Sequence, residues 1–134
     1  MRYTTENLRK IQHVREVFGE FIRKSEHIDV VYSDKVGYII LSLKNANTLN
    51  GFEPEEIISA EHLCLRLLDE IIDNYQDKRG QYKERTAFTQ TEKHEILQQM
   101  SIYMEQLPEY WYLQSKALCG CSINQVLKDA EKIK

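Results

Sequence analysis

Glycine and proline are scarce, with five and two in 134 residues. That composition excludes collagen-like and low-complexity chains and leaves few obligatory breaks in the backbone. The glycines (Gly19, Gly37, Gly51, Gly80 and Gly120) never cluster, so neither a phosphate-cradling loop nor a dinucleotide fingerprint can be built from them. No H-E-x-x-H, E-x-x-H or G-x-S-x-G string occurs, which removes the common helical metal sites and the serine nucleophile elbow. Three cysteines are too few, and odd in number, for a disulfide framework, so reduced thiols and a cytoplasmic setting are expected. The opening MRYTTENLRK has no apolar run, and no segment approaches the ~18 apolar residues of a membrane span. Nor is basic charge in excess. Eighteen Lys and Arg face 21 Asp and Glu, a net charge of −3, which argues against bulk attraction to nucleic acid or an anionic membrane.

What is present is ordinary for a domain with a core: 42% hydrophobic and 29% charged residues. The length suits a single domain over residues 1–134. Charge is uneven. Residues 1–25 carry six bases and three acids, residues 26–76 three and ten, residues 77–93 five and three, and the remainder four and five. A basic first helix beside an acidic middle reads first as ordinary solvated faces.

Apolar periodicity then sets out the elements. Leu8, Ile11, Val14, Phe18, Phe21 and Ile22 recur at helical spacing over 5–25, with Thr4 or Thr5 as a cap. "IDVVYSDKVGYIILSL" has two β-branched and aromatic runs around Asp34–Gly37, which predicts a hairpin with strands near 28–33 and 38–43. A lone two-stranded ribbon is marginal in water, and no third strand is evident. Either helices cover it or a second copy extends the sheet, which is the argument for a homodimer.

Pro54, among Glu53, Glu55 and Glu56, predicts a helix start. From there Ile57 to Tyr75 carry an apolar stripe too wide for one contact surface, as in a helix packed on more than one side. The polar stretch near 77–88 reads as a mobile loop. Thr89 and Glu92 form a capping box, followed by Ile96, Leu97, Met100, Tyr103, Met104 and Leu107 in helical order. Pro108 ends that helix or opens the next, Gly120 stops that one, and Ser122 with Gln125 caps a last helix. The fold class expected is therefore α+β and predominantly helical. It comprises an N-terminal helix, one antiparallel hairpin, a long central helix and three C-terminal helices.

Candidate sites follow from this layout. Cys119 and Cys121, spaced C-x-C, are half of a zinc-type donor set. His94 and Cys64 are the nearest candidates to complete it, but no second cysteine pair supports them. A redox pair would want C-x-x-C on a strand-to-helix turn. Packing beside a helix-ending glycine suits these residue types best.

Residues 109–134 also resemble a generic helix-turn-helix. Asn124, Gln125, Lys128 and Lys132 would lie on the exposed face of its second helix, where a nucleic-acid reader would need them. On the central helix His62, Arg66, Asp69 and Asp73 share one polar edge, with Arg66 and Asp69 spaced as a surface ion pair. In "PEYWYLQ", Tyr110, Trp111 and Tyr112 lie about 100° apart on a helix, so at least one must face outward.

The function expected is a small protein–protein interaction or regulatory domain without catalysis or cofactor, acting as a homodimer. Its contact residues are Tyr110, Trp111 and Tyr112, with Tyr38 and Ile40 on the hairpin. The alternatives are a nucleic-acid-binding regulator using 109–134 and a small-molecule or metal-binding protein using a pocket beside the central helix.

Overall fold

The computed structural model describes residues 4–25, 28–33, 37–42, 55–122, 124–126 and 128, with the backbone alone at 33 and 38–42. Helix dominates, and strands are confined to one small sheet, as expected of a predominantly helical α+β chain. Contacts cluster into two compact units, Met1–Leu63 and Cys64–Lys134.

In the first unit, α1 (Thr5–Val17) opens with the Asn7 N–H donating to the Thr4 hydroxyl at 3.1 Å, satisfying one of the donors a helix start leaves free. The expected single helix is interrupted by one residue, Phe18, before α2 (Gly19–Lys24). Bonds from Phe18 N–H to Val14 and from Ile22 N–H to Phe18 carry the ladder across the break. Ile11, Val14, Phe18 and Ile22 are buried at i, i+3 and i+4 spacing, and Phe21 meets Phe18 edge-to-face at 6.2 Å.

The hairpin forms as expected, β1 (Ile28–Ser33) against β2 (Gly37–Ser42). Its register runs from Ile28 opposite Ser42 to Ser33 opposite Gly37. Gly37 has a φ of 89°, the left-handed conformation that the turn requires and glycine supplies.

A third strand corrects the expectation of a lone ribbon. β3 (Glu55–Glu56) pairs with β2, Ile39 opposite Glu56 and Ile40 opposite Glu55. The residues assigned to a helix start therefore continue the sheet, because β2 offers unpaired backbone groups that β3 satisfies. Pro54 and Glu53 lie outside the described residues.

The opposite edge is covered too. Val30 donates its N–H to Asp29 Oδ1 at 2.8 Å, and its carbonyl accepts from Arg15 Nε and Nη2 at 3.3 and 3.2 Å. Side chains thus occupy the centre of the strand that a second copy would have extended, and the ribbon no longer argues for a dimer.

α3 (Ala60–Arg79) starts at Ser59, whose hydroxyl accepts from the His62 N–H at 3.1 Å. It runs one turn beyond the expected end at Tyr75. Gly80, with φ 65°, closes it through bonds from Gly80 N–H to Asp77 and from Gln81 N–H to Gln76, the paired pattern of a Schellman stop. Consecutive burial at Leu63, Cys64 and Leu65 and at Glu70, Ile71 and Ile72 confirms a helix packed on more than one side.

In the second unit, a 3-10 turn (Arg85–Ala87) leads into α4 (Gln90–Met104), which opens with both arms of the Thr89–Glu92 capping box. Ile96, Met100, Met104 and Leu107 form its buried stripe. Cys64 donates its thiol hydrogen to Met104 Sδ at 3.7 Å within that core.

Pro108 opens a second 3-10 turn (Pro108–Tyr110) before α5 (Leu113–Leu118). The expected continuous helix is thus a 3-10 turn followed by a short α-helix. Gly120, at φ 72°, repeats the Schellman stop with bonds from its own N–H to Ala117 and from Cys121 N–H to Lys116. Ser122 then caps helical residues 124–126, accepting from Gln125 N–H at 3.2 Å. Among the described residues no helix is long and apolar enough to cross a membrane.

Candidate functional site

A concavity in the second unit lies between α4 and the segment that follows Pro108. It is a groove of about 470 Å³, within the size range of ligand pockets. α4 contributes His94, Leu97, Gln98 and Ser101, an i, i+3, i+4, i+7 set that places all four on one face. The other wall holds Trp111, Tyr112, Gln114 and Ser115.

Tyr110 is buried, whereas Trp111 is 49% and Tyr112 42% exposed. The 100° step between successive positions forces this division. Tyr110 is therefore a core residue rather than a contact residue, and the outward aromatics are the next two. Leu97, counted with the core stripe from sequence, is 36% exposed and faces the groove, and Ile102, one turn past Gln98, is 64% exposed.

Several polar groups on the walls are already committed. Ser101 donates to the Gln98 carbonyl at 2.8 Å, Ser115 to the Tyr112 carbonyl at 3.0 Å, and Gln114 Nε2 to the Trp111 carbonyl at 3.2 Å. The side chains of His94, Gln98 and Trp111 make no hydrogen bond to other described residues.

The remaining polar clusters spend their chemistry internally. His62 is buried, accepts the Ile58 N–H at Nδ1 (3.1 Å) and bonds Glu55 Oε2 through Nε2 at 2.5 Å. The backbone donor fixes the tautomer, so Nε2 carries the proton and no ring lone pair remains for a base. The pair acts as a clamp between β3 and the start of α3.

Asp69 and Asp73 face Arg85, which lies 3.3 Å from Asp69 Oδ1 and 3.8 Å from Asp73 Oδ1 and also donates to the Ala117 carbonyl at 2.9 Å. Burial pushes Asp69 up to about 6, against the lowering pull of Arg85 and Arg66. Arg85 thus reaches Asp69 from sixteen residues away, a partner that local spacing on α3 does not reveal.

Glu92 is buried and lies 2.8 Å from Lys83 Nζ and 3.6 Å from Arg79. The Lys83 hydrogen bond, with the Thr89 N–H, holds its carboxyl down at about 2. Tyr75 donates to Glu95 at 2.5 Å, which raises its own hydroxyl pKa, and accepts from Arg79 at 2.9 Å.

In the first unit a crease of about 360 Å³ is lined by Arg15, Glu16, Gly19, Ile22, Arg23 and Asp29. Three of its charges are engaged, Arg15 and Asp29 with Val30 and Arg23 with Glu20.

The expected cysteine packing is revised. Cys64 is buried, but Cys119 is exposed and Cys121 half-buried, because the glycine turn they flank lies at the surface. Among the described residues no three His, Cys, Asp or Glu side chains converge as metal donors, so Cys119, Cys121 and His94 are not brought into one ligand set.

Asn124, Gln125 and Lys128 are exposed, while Lys132 lies outside the described residues. The side chains of Tyr38 and Ile40 also lie outside them. What sequence reasoning missed was the polar half of the groove, Gln98, Ser101, Gln114 and Ser115. The i, i+3, i+4, i+7 spacing of His94, Leu97, Gln98 and Ser101 was its available signal. No family model, curated protein or solved structure matches the chain.

Proposed function

We propose that the chain is a non-catalytic, cytoplasmic protein-recognition module whose contact surface is the aromatic-edged groove between α4 and the Trp111–Ser115 segment. One observation carries this reading. Of the seven exposed large apolar side chains among the described residues, four (Leu97, Ile102, Trp111 and Tyr112) belong to α4 and to the two residues that follow the second 3-10 turn. Keeping such side chains in water forfeits burial free energy, about 25 cal/mol for each Å², and clustered exposure of this kind marks interaction surfaces. Tryptophan and tyrosine are the residues that most often dominate interface energetics. The histidine and carboxylate clusters are engaged in holding elements together, which favours recognition over catalysis.

A photo-reactive benzophenone side chain at Ser115, used in the native cells, tests the reading. The expected result is a discrete adduct that disappears when Trp111→Ala is added. An adduct pattern indifferent to Trp111, or none at all, refutes it. An adduct of twice the chain mass would identify a second copy as the partner.

A further inference from the structure

We infer that the groove takes a short proline-rich segment of a partner protein in the extended polyproline II conformation. This rests on the recognition reading above and specifies its partner.

The size of the surface is the first reason. Large side chains present on the order of 150–250 Å² each. At the exposures of Leu97, Trp111 and Tyr112, which line the groove, the apolar surface on offer is on the order of 300 Å², enough to seat a short peptide segment.

The charge of the groove is the second. None of the described lining residues is Asp, Glu, Lys or Arg, so a charged or phosphorylated segment would lose its hydration with no counter-charge among them to replace it.

The third reason is the donors. The side chains of His94, Gln98 and Trp111 have no hydrogen-bond partner among the described residues, and each can donate. A helix arrives with its carbonyls already bonded, whereas a polyproline II segment has no internal hydrogen bonds and offers every carbonyl. Proline rings also pack flat on aromatic faces, and their fixed φ lowers the entropy lost on docking. From His94 to Ser101 the groove runs about 10 Å at 1.5 Å per residue, room for about one polyproline turn at 3.1 Å per residue.

The probe is a phage-displayed library of random twelve-residue peptides, selected on the folded chain and counter-selected on Trp111→Ala. Trp111 is the sole tryptophan, so the fluorescence of a bound synthetic peptide's target reports the groove directly. Enriched peptides should carry prolines at three-residue spacing, shift Trp111 emission to the blue, and bind at least tenfold more weakly to Trp111→Ala. Gln98→Ala, which removes a donor and little apolar area, should weaken binding several-fold. Enrichment of amphipathic helical peptides that need Trp111 overturns the polyproline assignment and leaves recognition standing, as does sedimentation showing a Trp111-dependent dimer. No Trp111-dependent peptide, together with no Trp111-dependent cross-link at Ser115, overturns both.

Discussion

Replacing Arg85 with methionine keeps an apolar stem of similar reach and removes a charge that ties three places together. The guanidinium donates to the Ala117 carbonyl at 2.9 Å and to Asp69 at 3.3 Å, and lies 3.8 Å from Asp73. A hydrogen bond from a charged donor contributes about 1.5–3 kcal/mol. Its loss also strips Asp69 of a cation, leaving Arg66 as the other base that lowers its pKa. Asp69 stands at about 6, above its ordinary 3.8, because burial outweighs those two cations.

A folded-state pKa above the unfolded value means that the native chain binds more protons between about pH 4 and pH 6. Stability is therefore greatest below that window and falls as pH rises through it. Two pKa units correspond to about 3 kcal/mol. In Arg85→Met the carboxyl becomes harder still to ionise, so the penalty at neutral pH grows. The expected deficit against wild type is about 2–4 kcal/mol at about pH 7.5. It shrinks to about 1–2 kcal/mol at about pH 4.5, where Asp69 is neutral and chiefly the Ala117 bond is missing. Urea unfolding at both pH values measures this, with Asp69→Asn as the companion variant that flattens the wild-type slope. A deficit indifferent to pH, or an Asp69→Asn variant with the full wild-type slope, refutes the reasoning.

Four further outcomes are expected. Thr89→Ala, which removes the hydroxyl that accepts the Glu92 N–H, should cost about 1 kcal/mol. Because Glu92 is held down at about 2, its contribution is present above the ordinary carboxylate range and fades as pH falls towards 2. Glu92→Gln should lower the melting temperature and erase that acid limb in circular dichroism melts. Gly120→Ala should destabilise more than Gly80→Ala in chemical denaturation, although both occupy left-handed conformations. A Cβ at Gly120 would sit 3.2 Å from Arg85 Cγ, whereas the one at Gly80 meets nothing within 4 Å. Backbone strain alone costs about 1–2 kcal/mol, so equal losses would discount the Arg85 contact. Met104→Ala, at a fully buried position touching Cys64, should lose about 2–5 kcal/mol. Ile102→Ser, at a position 64% exposed, should change stability by no more than about 0.5 kcal/mol. Comparable losses at the two would contradict the inside–outside assignment of α4.

The division between local and long-range information runs through single elements. The start of α4 was legible because Thr89 and Glu92 satisfy each other three residues apart, and the stops at Gly37 and Gly120 because left-handed backbone selects glycine. The stop at Gly80 uses the same chemistry, yet the polar residues after Tyr75 masked the last turn of α3. Glu55 and Glu56 were misread for a different reason. Their acidity suits a helix start, but the unpaired edge of β2 claimed both and the His62 ring claimed Glu55, and both partners lie beyond the first turn in which a helix-start signal acts.

The sequence by itself determined the start of α4, the stop at Gly120, the hairpin, and the fact that the adjacent aromatics at 110–112 cannot all face inward. Caps, turns and 3.6-residue periodicity act within a few residues and are written in adjacent positions. Only the tertiary structure decided that Tyr110 goes in while Trp111 and Tyr112 stay out, that Leu97 faces a groove rather than the core, and that Arg85 reaches Asp69 and Ala117. Those outcomes depend on which surfaces meet across tens of residues, and burial and ion pairing are properties of that meeting rather than of any one segment.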